Sequence, residues 1–261
     1  MNLIYRFFLL FLFSFFLLSG TAENHQAVKS LDLDIVYIGN SITYGANLEN
    51  PEHDAPPVVA SERLRKMNGI NSVSFSNQGR SGFTSVNYLP NSPTFTEVLQ
   101  ATRQLHSNHE HVLIFSIKLG TNDSAIQGPL GAPVSKEDFR QNIKSIVDEL
   151  LKQFPDSKIV LQQPIWYSPN TYNGAKYLAE GLERLQSYFP ELESLIKSYS
   201  ETQKNKVYLG DQEVFDYFRK NYLTDLVAEN GNQGIFYLHP NQKGAAKLAE
   251  FWAESIYKVV K

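Results

Sequence analysis

Four short stretches hold residues able to share one reaction: GNSIT (39–43), NQGRSG (77–82), LGTND (119–123) and LHPNQKG (238–244). Ser41 presents a hydroxyl where the apolar run VYIG gives way to a turn into a helix, and a helix N-terminus favours developing negative charge. His239 presents an imidazole, which can accept and return a proton near neutrality. The backbone N–H groups of Ser41 and Gly79 and the side-chain amide of Asn122 are donors of the type that hold an oxyanion. Such a donor is worth roughly 2.7–4 kcal/mol in another hydrolase. Read singly, each residue has a plain structural role: a helix cap, a turn glycine, a loop amide, a surface histidine before a helix. Read together they supply a nucleophile, a base and an oxyanion site, which are the parts of an acyl transfer.

Those parts need a scaffold that brings distant segments to one edge. Short apolar runs alternate with helical patterns along the chain. The strand candidates are LDIVYIG (33–39), SVSFSNQG (72–79), VLIFSIKLG (112–120), KIVLQQP (158–164) and KVYLGD (206–211). Several are apolar on both faces, as parallel strands covered on two sides should be. Residues 135–154 place Phe139, Ile143, Ile146, Val147, Leu150 and Phe154 on one helical stripe behind a Ser135 cap. Residues 173–200 read as helix with an interruption near Pro190, and a final helix opens around His239-Pro240. The alternation predicts a parallel sheet with helices on both faces and right-handed crossovers. In such a sheet, ligands gather outside the carboxyl ends of the strands, where these motifs fall or return. The Gly/Pro-rich loop 124–135 reads as a lid or site wall rather than a domain boundary.

Composition narrows the function classes. The chain has 261 residues, 42% apolar and 20% charged, with a net charge of −3 and no long basic run, which argues against nucleic acid or an anionic membrane as partner. Residues 1–22 read as an export signal: Arg6, then an apolar run from Phe7 to Leu18, then small residues at Gly20 and Ala22. The run is too short to span a bilayer, which takes ~20 apolar residues, so no stable membrane insertion is expected after its removal. Residues 23–261 then form one domain, expected in the periplasm or outside the cell. With no cysteine, the chain has neither disulfides nor a thiol nucleophile.

The order GNS…NxG…GTND…HP resembles the SGNH hydrolase superfamily, the GDSL-like esterases, over about residues 33–260. The resemblance implies Ser41 as nucleophile, Gly79 and Asn122 as oxyanion donors and His239 as base. It implies a flavodoxin-like three-layer α/β/α sandwich around a parallel sheet of about five strands, and ester hydrolysis without a metal or organic cofactor. Two positions depart from the family pattern. Asn40 stands where an aspartate is usual, which keeps hydrogen bonding to the turn but removes a charge. Phe236 stands three residues before His239, where the family usually places the aspartate that orients the histidine; loss of such an acid can lower kcat by about 10⁴. The first expectation is that a main-chain carbonyl around 236–238 orients the ring, giving a Ser41–His239 dyad. The alternative is an acid from TDLVAENGNQG, either Asp225 or Glu229.

An exported, cysteine-free, mildly acidic esterase fits an acylated carbohydrate as substrate, with an acetyl group as the ester. Trp166 and Tyr167, with Tyr172 in the same segment, are candidate sugar-stacking residues, and Arg80 is a candidate partner for an acidic sugar. The competing readings are a lysophospholipase or thioesterase of the same superfamily, and a non-catalytic glycan-binding protein.

Overall fold

The computed structural model describes residues 30–261; the expected export signal lies outside them. Five parallel strands form the central sheet: β1 (Leu31–Gly39), β2 (Ile70–Gly79), β3 (Val112–Lys118), β4 (Lys158–Leu161) and β5 (Val207–Leu209). Their order is β2-β1-β3-β4-β5. This is the flavodoxin-like order, which puts the topological switch point between β1 and β3. Strands 1 and 3 are buried on both faces because apolar residues occupy both.

Helices cover both faces. On one, Tyr37 of β1 stacks on Trp252 of α8 (Gln242–Val260) at 6.0 Å and bonds Ser61 of α3 (Pro56–Leu64) at 3.2 Å. On the other, Phe115 packs on Phe154 at the end of α5 (Lys136–Gln153), and Phe139 of α5 stacks on Tyr188 of α6 (Leu178–Thr202) at 4.1 Å. Ser135 caps α5 by accepting from the Asp138 N–H. Three short or peripheral helices complete the early part of the chain: α1 (Ser41–Tyr44), α2 (Pro51–Asp54) and α4 (Pro93–Leu105). Helix α7 (Val214–Asp225) precedes the last hairpin.

Two expectations are corrected here. Helix α6 runs through Pro190 without a break. One interior proline costs ~3 kcal/mol; burying Leu185, Tyr188, Leu192 and Leu195 on either side outweighs it, at ~1.5–3 kcal/mol per large apolar side chain. Pro240 ends a strand rather than starting the last helix, whose cap is Asn241, accepting from the Gly244 N–H. That strand is part of an antiparallel hairpin, β6 (Leu226–Gly231) and β7 (Gly234–Pro240), which is not among the strand candidates of the sequence. The hairpin stands apart from the main sheet and carries two of the site residues.

Candidate active site

Ser41 is the first residue of α1, two residues beyond the end of β1. The turn is held by Asn40, whose Oδ1 accepts from the Ile42 N–H at 3.2 Å, and by Gly45, which closes the short helix at φ 93°. His239 comes from β7. Its Nε2 lies 2.9 Å from Ser41 Oγ, although the two residues are 198 positions apart in the chain. The ring's other nitrogen, Nδ1, donates to the Glu229 carboxylate, at 2.9 Å from Oε1 and 3.1 Å from Oε2. The His239 backbone N–H donates to the same carboxylate at 3.2 Å. Asn47 completes the shell by donating its amide to Glu229 Oε2 at 2.9 Å. Its nitrogen is also 3.3 Å from His239 Nδ1, but both atoms are donors and the contact is proximity only. Asn47 adopts φ 68°, a left-handed conformation that asparagine tolerates better than most residues.

The carbonyl expected to orient His239 is therefore replaced by a carboxylate. Glu229 reaches the ring because β6 and β7 are antiparallel, with Glu229 paired to Phe236 across the hairpin. An acid ten residues before the histidine in sequence thus takes the place that Phe236 leaves vacant, while Phe236 itself is buried in the core. Asp225 does not join them. Its buried carboxylate accepts from Lys243 Nζ at 2.6 Å, from Tyr217 at 2.7 Å and from Thr224 at 2.7 Å, and these partners hold it below the usual carboxylate range against the opposing effect of burial.

Asn122 lies in the turn after β3. Its Oδ1 accepts from the Tyr177 hydroxyl at 2.8 Å and its Nδ2 donates to Phe83 O at 2.8 Å, which leaves the second amide hydrogen for the cavity it lines. Burial, with the charges of Asp123 and Glu229, pushes the Tyr177 phenol upward, so it remains a donor.

Gly79 is not the second backbone donor. Its N–H is already given to Asn77 Oδ1 at 2.9 Å, and its Cα lies against the backbone of α1: an added Cβ would sit 2.4 Å from Tyr44 N and 2.7 Å from Thr43 C. The missing side chain lets β2 approach the Ser41 turn. The glycine on the cavity wall is Gly82, three residues later, at φ 79°. Its N–H and that of Ser41 have no partner among the described residues. The stretch NQGRSG contains both glycines, and only the fold distinguishes them.

Ser41, Gly82, Asn122 and His239 line one cavity of about 240 Å³, with Ala46, Ser81, Pro129, Asn173, Ala175, Tyr177 and Leu238. Pro129 makes the loop 124–135 part of the site wall. Three other expected contacts are absent from that wall. Trp166 is buried against Tyr222, at 5.1 Å between rings. Tyr167 is fully buried with its hydroxyl 2.9 Å from that of Ser124. Arg80 forms a half-exposed ion pair with Glu97. The segment that was expected to contribute Trp166 and Tyr167 contributes Asn173, Ala175 and Tyr177 instead. A larger cavity of about 470 Å³ along α6, β5 and α8 contains none of these residues.

A parallel sheet of order 2-1-3-4-5, with a serine, a histidine and an asparagine at the carboxyl ends and in the returning hairpin, defines an α/β hydrolase scaffold of the SGNH type. The pattern of the GDSL-like Lipase/Acylhydrolase family matches residues 37–247, and the chain belongs to that family. No curated protein matches it in sequence. Among solved structures it resembles Est24, a carbohydrate acetylesterase from Sinorhizobium meliloti, at 17% identity and a TM-score of 0.55 over 87% of this chain and 99% of that one. It also resembles a family two carbohydrate esterase from Clostridium thermocellum in complex with cellohexaose, at 18% identity and a TM-score of 0.54 over 89% and 66%. The aryl esterase of M. smegmatis is similar at 14% identity, a TM-score of 0.56, and 87% and 99% coverage. Likeness at these identities concerns the fold.

Proposed function

We propose that this protein is a serine esterase that removes short acyl groups, acetyl above all, from carbohydrate. The observation that carries the reading is the continuous chain Ser41 Oγ–His239 Nε2, then His239 Nδ1–Glu229, at 2.9 Å for each link. In this reading Ser41 Oγ attacks the ester carbonyl while His239 Nε2 takes the hydroxyl proton, and Glu229 stabilises the imidazolium. The carbonyl oxygen becomes an oxyanion, held by the N–H groups of Ser41 and Gly82 and the free Asn122 amide hydrogen. Collapse of the tetrahedral intermediate expels the sugar alkoxide, which receives the proton from His239. Water then gives a proton to the same nitrogen and attacks the acyl-serine; collapse breaks the bond to Ser41 Oγ, which takes that proton back from His239, and the carboxylic acid is released.

The cavity of about 240 Å³ is smaller than the ~300–1,000 Å³ of sites for drug-sized ligands, which favours an acetyl over a long acyl chain. Polar side chains at its wall, Ser81 and Asn173, suit hydroxylated rings. The carbohydrate acetylesterase and the cellohexaose-bound esterase among the similar structures support the same substrate class. Export to the periplasm or beyond is part of the proposal, and N-terminal sequencing of mature protein outside the cytoplasm tests it.

Hydrolysis of p-nitrophenyl acetate, butyrate and octanoate, with Ser41→Ala as control, tests the reaction. The expected result is activity that declines with chain length and vanishes in the variant. A preference for octanoate would indicate the lysophospholipase or thioesterase reading. Inactivity at every length, with acetylated glycans still bound, would indicate a binding protein.

A further inference from the structure

Beneath the nucleophile turn lies a lysine that the steps above do not use. Lys118 ends β3, directly opposite Gly39 of β1, and is 1% exposed. Its Nζ donates to Thr121 Oγ1 at 2.9 Å and reaches Asn40 Oδ1 at 3.4 Å. These partners belong to different halves of the site. Asn40 is the cap of the helix that begins with Ser41. Thr121 immediately precedes Asn122.

The placement is costly. A buried amine with no counter-ion in contact loses its hydration without recovering it. Among the described residues no carboxylate lies within ion-pair distance of Nζ. Asp123, also fully buried, is the charged group that acts on it, but that carboxylate is spent on the Ser85 and Gly120 N–H groups. Burial pushes the amine down to about 7, with Asp123 acting in the opposite sense. A leucine or methionine would fill the same space without this cost, so stability does not account for the residue.

Resting on the esterase reading, we propose that Lys118 is a positioning residue: its Nζ ties the Asn40 cap to the Thr121 hydroxyl and so fixes the spacing between Ser41 Oγ and the Asn122 amide. Charged or neutral, the amine has hydrogens for both partners. Acyl transfer is sensitive to this spacing, because misplacing a reacting group by 1 Å can cost about 10²-fold.

Lys118→Met keeps the length and removes the donors. On p-nitrophenyl acetate the expected result is a fall in kcat of about 30- to 100-fold, with KM maintained and no loss of thermal stability. A purely structural lysine would lower Tm and leave kcat per folded molecule unchanged. Asn40→Ala should also lower kcat, and the double variant should fall short of the product of the two losses because both cut one chain of contacts. Thr121→Val leaves the lysine in place and cuts one link; it too should lower kcat at constant KM. Wild-type kcat in Lys118→Met or Thr121→Val overturns the proposal. A crystal structure of Lys118→Met reads the Ser41 Oγ to Asn122 Nδ2 separation without any substrate: a shift near 1 Å supports the proposal and an unchanged separation overturns it. Wild-type protein inactive on every ester would remove the esterase reading alone, and the separation would still decide the role of Lys118.

Discussion

Replacing Glu229 with glutamine removes one charge 2.9 Å from His239 Nδ1 and changes little else in size. The site is sheltered, with the histidine and glutamate side chains 10% and 16% exposed. For charge centres about 4 Å apart at an effective dielectric of ~20, the lost attraction to a developing imidazolium is ~4 kcal/mol. That corresponds to about 10³-fold in kcat. The loss falls on the transition state, where His239 carries the serine proton, so KM should change little. Glu229→Ala should lose more, because the Asn47 amide and the His239 backbone N–H lose their acceptor as well. Asp225→Ala is the control, expected to lower Tm while sparing kcat, since its carboxylate bonds Lys243, Tyr217 and Thr224 rather than the histidine. Steady-state kinetics on p-nitrophenyl acetate, corrected for folded protein, measures all three. A Glu229→Gln enzyme within threefold of wild type would refute the reasoning and return the orienting role to a main-chain carbonyl.

Tyr177→Phe removes the donor to Asn122 Oδ1; one such hydrogen bond contributes ~1 kcal/mol, so kcat should fall by about five- to tenfold with the fold intact. An unchanged kcat would show that Phe83 alone orients the amide. Gly79→Ala forces a Cβ into the backbone of Thr43 and Tyr44. It should cost ~1–3 kcal/mol and lower Tm in calorimetry, and an undiminished Tm would contradict the close approach. Lys118→Met should also alter stability with pH. The folded amine, held near 7, lies below the unfolded value of ~10.4, so the unfolded chain binds more protons between them and wild-type stability rises with pH across that window. The Tm advantage of the methionine variant should therefore be greatest below pH 7 and shrink towards pH 10. Parallel Tm curves would refute the depressed amine.

Much of the scaffold is legible in local sequence. Each of the five strands lies within a few residues of its sequence expectation; β1, β3 and β4 are buried on both faces and leave continuous apolar runs, while the edge strands β2 and β5 are only partly covered. Helix α5 was readable from its stripe and its Ser135 cap. The motifs around Ser41, Asn122 and His239 could be read because turns at strand ends need particular residue types. Three things could not be read that way. The hairpin β6-β7 is half exposed and short, so its alternation is weak, and with it went the partner of His239. Gly79 and Gly82 have the same chemistry in the sequence; the Cβ space around each and the hydrogen bond already made by the Gly79 N–H separate them. Trp166 and Tyr167 have the composition of a sugar platform, but the core claimed them.

By itself the sequence determined which residues could react and which elements could carry them, since both depend on residue type and short-range periodicity. The tertiary structure alone decided which acid meets the histidine, which glycine faces the cavity and which lysine lies beneath the serine. Those choices depend on strand pairing across the chain, where one position of register or one face of a strand changes a side chain's partners.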